Sequence, residues 1–265
     1  MLIAHISDTH VRPRGQLYQG VVDSNAMLAA AVDTINALDP APDLILFSGD
    51  LVDEGRPEEY AMARELLQPL RQKLLMIPGN HDHRQNLRDA FPEHDYFIND
   101  QDCSFVYSGS APLRIIGLDI SVPEQHHGDM TDTATQWLDR TLAQEPHKPT
   151  LIMMHQPPFS SGIPYIDAYR CERGERLAEV VCRYPAIERI VCGHIHRFMQ
   201  LRFGGTLMCT APSTTTAIAL RLHAEAADAS YVEPPALLLH HWKADTGLIT
   251  HWVPIGRFEG PFDFA

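Results

Sequence analysis

Five short apolar runs, at residues 2–6, 44–47, 74–77, 151–154 and 190–192, constrain this chain more than any other feature. Each reads as a buried strand, and 113–118 fits the same description. Two helical patterns separate the first three runs. Asp23 or Ser24 caps one that continues to about Leu38 and is ended by Pro40. Pro57 sits in the first turn of the other, which reaches about Leu70, with Glu58 and Glu59 at its positive N-terminus. Strand, helix, strand, helix, strand is the rhythm of a mainly parallel sheet, so the expected class is α/β. Further on, Thr131 caps a helix through Trp137, Leu138 and Leu142, and residues 175–183 form another. The runs 236–242 and 248–253 flank Gly247, which is free to take a positive φ, and read as a C-terminal antiparallel hairpin. With no linker or repeat in view, residues 1–265 are expected to form one domain. Within it, 200–255 is a candidate oligomerisation segment of a homo-oligomer.

The residues just after each run give the fold its chemistry. The first run leads into Ser7-Asp8-Thr9-His10, the second into Ser48-Gly49-Asp50, and the third into Pro78-Gly79-Asn80-His81-Asp82. The run at 151–154 ends at His155, and that at 190–192 leads into Gly193-His194-Ile195-His196. Sites in open α/β sheets form beyond the carboxyl ends of the strands. Five strand ends therefore deliver oxygen and imidazole donors to one edge. Asp8 and His10 lie two apart, as do His194 and His196, and in extended chain such pairs point the same way. Glycines before Asp50, Asn80 and His194 permit the close backbone approach that a crowded cage needs.

Bulk properties narrow the partners. Apolar residues make up 45% of the chain and charged ones 21%, which suits a well-filled core rather than disorder. A formal net charge of −13 disfavours extended nucleic acid, although a metal pair makes one cleft locally positive. The start, MLIAHISDTH, has no signal-peptide pattern, and no apolar stretch approaches the roughly 20 residues that span a bilayer. A cytoplasmic protein without membrane contact is expected. The five cysteines are irregularly spaced and lack CxxC, so buried thiols are expected rather than a disulfide or thiolate site.

Asp8, His10, Asp50, Asn80, His155, His194 and His196 are seven candidate ligands. That is too many for one catalytic metal with an open position, and suits two divalent metal ions if Asp50 bridges them. Nitrogen and oxygen donors without thiolate suit Fe, Mn, Zn or Co. Two such ions outweigh Asp8, Asp50 and a hydroxide by one positive charge, which a singly charged phosphodiester neutralises. His5 points away from this edge and reads as a structural histidine. His126, His127, Tyr18 and the loop 159–171, a candidate lid, are possible substrate neighbours. The other histidines read as surface or packing residues.

In order and spacing, Asp8-x-His10, Gly49-Asp50, Gly79-Asn80-His81-Asp82, His155 and Gly193-His194-x-His196 resemble the signature of calcineurin-like metallophosphoesterases. The opening AHISDTH, the GRPEEY at 55–60 and Tyr169-Arg170-Cys171-Glu172 resemble a subgroup of it, the bacterial class III cyclic-nucleotide phosphodiesterases and glycerophosphodiesterases. The resemblance implies a four-layer α/β/β/α sandwich. It implies Asp8, His10, Asp50 and His196 on one metal, and Asp50, Asn80, His155 and His194 on the other. His81 is implied to act beside the metals without binding them. The expected reaction is in-line hydrolysis of a small phosphodiester by a metal-activated hydroxide. His81 and Asp50 are then the catalytic residues, His81, Asn80 and His196 contact substrate, and Asp53 orients His81. A phosphomonoesterase or nuclease would use the same cage, and a metal-free scaffold would be expected to have lost ligands.

Overall fold

The structure, a computed structural model, describes residues 1–97, 102–108 and 111–264. The chain begins with three strands, β1 (Leu2–Ile6), β2 (Leu44–Phe47) and β3 (Lys73–Met76). They are joined by α1 (Ser24–Asn36) and α2 (Pro57–Leu67), and α3 (Arg84–Ala90) comes next. A second series comprises β4 (Phe105–Tyr107), β5 (Arg114–Gly117), α4 (Asp132–Gln144), β6 (Thr150–Met153), α5 (Pro164–Asp167), α6 (Gly174–Val181), β7 (Ile187–Cys192), β8 (Met199–Phe203) and β9 (Thr206–Thr210). The chain ends in a small ribbon, β10 (Ala217–Ile218) with β11 (Ser230–Tyr231), and the hairpin β12 (Ala236–Lys243) and β13 (Gly247–Pro254).

Two mixed sheets result. The first runs β13-β12-β1-β2-β3, parallel across β1, β2 and β3 and antiparallel at the hairpin. The second runs β4-β5-β6-β7-β9-β8, parallel from β5 through β9 with an antiparallel strand at each edge. Strand alternation sorts the side chains into layers. Ala4, Ile6, Ile45 and Phe47 pack under the helices with Leu28, Ile35, Tyr60 and Ala63, whereas Ile3, Leu44 and Leu46 meet Ile115, Leu151, Met153 and Val191 between the sheets. On the far side Ile116, Ile152 and Ile190 pack against Leu138, Leu142, Leu177 and Val180 of α4 and α6. The four-layer α/β/β/α sandwich with a C-terminal hairpin is borne out.

Local signals explain most elements. The Asp23 side chain accepts a hydrogen bond from Ala26 N at 3.0 Å, and that of Thr131 one from Ala134 N at 3.1 Å, both N-cap bonds. Gly247 has φ 81°, as the hairpin requires. Three of the four expected helices stop two or three residues early, at Asn36, Leu67 and Val181, whereas α4 runs past Leu142 to Gln144. The β8–β9 hairpin was not anticipated. It turns on Gly204-Gly205, at φ 56° and 94°, with Phe203 paired to Thr206, a two-residue turn whose glycine pair is a sequence signal. Among the described residues no helix is long and apolar enough to cross a membrane.

Candidate metal centre

The carboxyl ends of β1, β2, β3, β6 and β7 meet at one edge of the two sheets and bring together all seven candidate ligands. The backbone there is unusual. Asp8 (φ 56°), His10 (42°), Asp50 (55°), His194 (70°) and His196 (56°) all occupy the left-handed region, which non-glycine residues rarely adopt. This corrects the reading of Asp8/His10 and His194/His196 as extended pairs. The strands have ended at Ile6 and Cys192, and left-handed turns bring both members of each pair into the donor groups. Bonds between strand ends hold these turns: Asp8 N donates to Gly49 O at 3.0 Å, Thr9 N to Asp50 O at 2.9 Å and His194 N to Asp8 Oδ1 at 3.1 Å.

Two groups of donor atoms form. In one, His10 Nε2 and His196 Nε2 lie 3.2 Å apart, and His196 Nε2 lies 3.3 Å from Asp8 Oδ1. In the other, His155 Nε2 lies 3.2 Å from both Asp50 Oδ2 and Asn80 Oδ1, and His194 Nδ1 is 2.9 Å from the same Asn80 oxygen. Asp50 joins them. Its Oδ1 accepts the His81 backbone N–H at 2.8 Å, while Oδ2 faces His155 at 3.2 Å and His10 Nε2 at 3.9 Å.

These residues fit metal ions on grounds of proton placement. A carbonyl oxygen only accepts, so His155 Nδ1, 2.7 Å from Ser48 O, and His196 Nδ1, 2.8 Å from Thr216 O, both carry hydrogens. Each Nε2 is then left to face carboxylate, amide and imidazole atoms, and carries a lone pair whenever its ring has no second proton. Convergent lone pairs of this kind are what a cation stabilises, and ring N–H groups anchored on carbonyls are the usual support of ligating histidines. His194 Nε2 is buried without a hydrogen-bond partner. Burial pulls His155 down, but Asp50 and Asp8 outweigh it and hold the ring at about 9. Burial lowers His194 to about 3. Burial pushes Asp8 up, but His196 and His155 overcome this and hold it at about 2. Two buried carboxylates thus draw positive charge into the site, and a divalent cation bound there competes with the His155 proton.

Residues 1–198 match the family model described as calcineurin-like phosphoesterase. The chain belongs to the calcineurin-like phosphoesterase family. It is 37% identical over its whole length to a probable glycerophosphodiester phosphodiesterase, GpdQ, of Arcobacter nitrofigilis, covering 97% of that protein. It is 34% identical to the GpdQ glycerophosphodiester phosphodiesterase of Enterobacter lignolyticus, with 99% of this chain and 94% of that protein aligned. The cyclic AMP phosphodiesterase CpdA of Escherichia coli is 27% identical over 80% of this chain and 75% of its own length. A dimetal phosphatase from Danio rerio shares the fold, with a TM-score of 0.64 at 15% identity, covering 97% of this chain and 99% of that one. With such relatives over its full length, this calcineurin-like phosphoesterase is a phosphodiester hydrolase.

Around the donor atoms, the phosphoesterase has a cleft of about 340 Å³. His81 faces it. Its Nδ1 donates to the Asp53 carbonyl at 2.6 Å, which leaves Nε2 directed elsewhere. The expected support from Asp53 therefore comes through its backbone oxygen; its carboxylate Oδ1 is 3.6 Å from His81 and closer, 3.4 Å, to His10 Nδ1. Tyr18 stacks on His10 with ring centroids 4.6 Å apart, and His126 approaches Asn80 Nδ2 at 3.3 Å. His127 instead lies near Glu172, outside the cleft lining. Tyr165 and Tyr169 make the loop after His155 a wall of the cleft.

The remaining polar residues explain why the ligand loops hold their shape. Asp82 accepts from Leu51 N at 3.1 Å, Gly79 N at 2.9 Å and the Tyr60 hydroxyl at 3.0 Å, tying the β2 and β3 loops together. His5 is structural as expected: fully buried, it contacts Ser48 Oγ at 2.8 Å between the sheets.

Proposed function

We propose that the chain hydrolyses small phosphodiesters, glycerophosphodiesters in preference to cyclic nucleotides. In this reading Asp8, His10, Asp50 and His196 hold one divalent ion, and Asp50, Asn80, His155 and His194 hold a second. The observation that carries it is Asp50: one oxygen is committed to the His81 N–H and the other is turned to both donor groups. Such an ion pair, of Fe, Mn, Zn or Co, supplies Lewis acidity toward phosphoryl oxygens and a water of lowered pKa. Asn80 and His196 contact the substrate's phosphoryl group at the cleft floor.

His81 gives a proton to the departing alcohol oxygen. Its Nδ1–H is spent on Asp53 O, so the transferable proton is on Nε2. Burial lowers this ring's pKa, but Asp50 and Asp53 outweigh burial and raise it. That suits a general acid. Replacing His81 with alanine is expected to retain both metals while kcat for an alkyl diester falls about 10²–10⁴-fold. The loss should be far smaller with a nitrophenolate leaving group, which needs no proton. A variant that loses metal makes His81 a ligand instead, and equal losses on both substrates refute its role as acid.

The cleft supports a small diester. No lysine or arginine is among its described lining residues, and the net charge is −13, which opposes a polyanionic nucleic acid. The preference for glycerophosphodiesters rests on the extent of the alignments. The two GpdQ proteins align with essentially the whole chain, including the segment that supplies Ile218, Asp228 and Ser230 to the cleft, whereas CpdA aligns with 80% of it. Metal-reconstituted enzyme should turn over glycerophosphodiesters with a higher kcat/KM than cyclic AMP, and bis(4-nitrophenyl) phosphate faster than 4-nitrophenyl phosphate. The opposite orders would assign a cyclic-nucleotide enzyme or a monoesterase.

A further inference from the structure

Two imidazoles of the site, His10 from the β1 end and His81 from the β3 end, approach one residue outside the seven, Asp53, with which they form a further cluster of donor atoms. Asp53 presents its carbonyl to His81 Nδ1 at 2.6 Å and its Oδ1 to His10 Nδ1 at 3.4 Å. The other carboxylate oxygen, Oδ2, is held by Arg12 Nη1 at 2.6 Å. Arg12 has further partners on both Nη atoms, although its Nε is buried without one. Nη1 also reaches Glu54 Oε1 at 2.8 Å and Glu59 Oε1 at 3.0 Å, and Nη2 reaches Gln16 Oε1 at 3.3 Å. Its backbone N–H donates to Asn25 Oδ1 at 3.0 Å, and its carbonyl accepts from Asn25 Nδ2 at 2.9 Å, tying it to α1. Glu59 is fully buried and is locked by the Glu54 and Arg56 N–H groups at the start of α2.

A guanidinium shared by three carboxylates is more than a surface ion pair needs. Its contact with Oδ2 sets which way the Asp53 carboxylate, and so Oδ1, faces. With Oδ2 pinned, Oδ1 lies between the two rings. Without the pin, the carboxylate is free to turn, and Oδ1 leaves its place 3.6 Å from His81 Nδ1 and 3.4 Å from His10 Nδ1. A lysine keeps the charge and three donors on one nitrogen, but it is shorter and has no second nitrogen to hold Gln16 while the first meets the carboxylates.

We infer that Arg12 is a positioning residue: acting through Asp53, it holds His81 at the angle from which its proton reaches the leaving group. The inference rests on the reading of His81 as the proton donor. Arg12 touches neither the cleft nor the donor atoms, so a purely structural role would lower activity on all substrates alike.

The test uses metal-loaded full-length enzyme, an alkyl glycerophosphodiester and bis(4-nitrophenyl) phosphate. Arg12→Lys is expected to lower kcat on the alkyl diester by roughly tenfold, within the range seen when outer partners of a site are removed, and on the aryl diester by less than about twofold, with KM little changed on either. Asp53→Asn should show the same split. In that background Arg12→Lys should add nothing, since residues acting through one link are non-additive. Equal losses on the two diesters overturn the inference, as does an undiminished Arg12→Lys effect in Asp53→Asn. Arg12→Met, checked for folding by thermal denaturation, should exceed Arg12→Lys in the same direction; if it does not fold, the lysine variant and Asp53→Asn decide. If His81→Ala shows the leaving-group split and Arg12→Lys does not, only this inference fails. If His81→Ala shows none, the underlying reading fails first.

Discussion

Replacing Asp50 with alanine should remove tight binding of both metals at once and cost more turnover than the roughly 100-fold upper end seen when a ligand's outer partner is removed. The reason is the division of labour between its oxygens. Oδ2 faces His155 in one donor group and His10 in the other, so both lose a donor together. Oδ1 holds the His81 N–H, so the same change leaves a part-buried donor unpaired, at about 1–3 kcal/mol, and frees the proposed acid. Asp8→Ala and His155→Ala, by contrast, should each weaken one metal more than the other. Metal analysis by mass spectrometry after reconstitution separates the cases. Retention of both ions at wild-type affinity in Asp50→Ala would refute the bridging assignment.

Gly79→Ala is the second change with a large expected effect, although it removes no functional group. Gly79 is not at positive φ, so alanine can adopt its backbone conformation. The obstacle is space: an added Cβ would overlap Asp50 Oδ1 and lie 2.5 Å from Asp50 N, which is backbone and cannot swing aside. The β2 and β3 loops must therefore separate. Overpacking of this sort typically costs about 1–3 kcal/mol. The displaced residue is the one proposed to join the two metals, so metal content and turnover should fall with stability. Thermal unfolding with and without metal measures this. A wild-type melting temperature together with two bound metals would show that the loops have slack the geometry does not suggest.

The sequence carried much of this site because its ligands are tied to features with strong local signals. Runs such as Ile45-Leu46-Phe47 are apolar on both faces because both sheet faces are covered, and the polar residue ending each run marks the edge. The backbone that aims those residues left less trace. Aspartate and histidine tolerate a left-handed φ without announcing it, so spacing suggested extended pairs where the chain turns. The groups that fix two histidine protons are the carbonyls of Ser48 and Thr216, and a backbone oxygen has no sequence signature. Arg12 was missed for a related reason. It lies 41 residues from Asp53, and only the docking of the β1 loop on the β2 loop brings them together. Short elements were also hidden: α3 has seven residues and β4 three, too few for periodicity to register.

The pairing of β1 with β12 has a consequence for how the molecule comes to exist. Leu2 pairs with His241, and the N-terminal amine donates to Trp242 O at 2.9 Å, so the strand that leads into Asp8 and His10 gains its second neighbour almost from the end of the chain. During synthesis that strand keeps an open, apolar edge until the last hairpin emerges. Contacts closing so long a loop form late and slowly. A fragment ending at residue 198 would hold every candidate ligand and still leave β1 half-paired. Such a fragment is expected to take up metal weakly in a titration, and to aggregate through the exposed edge.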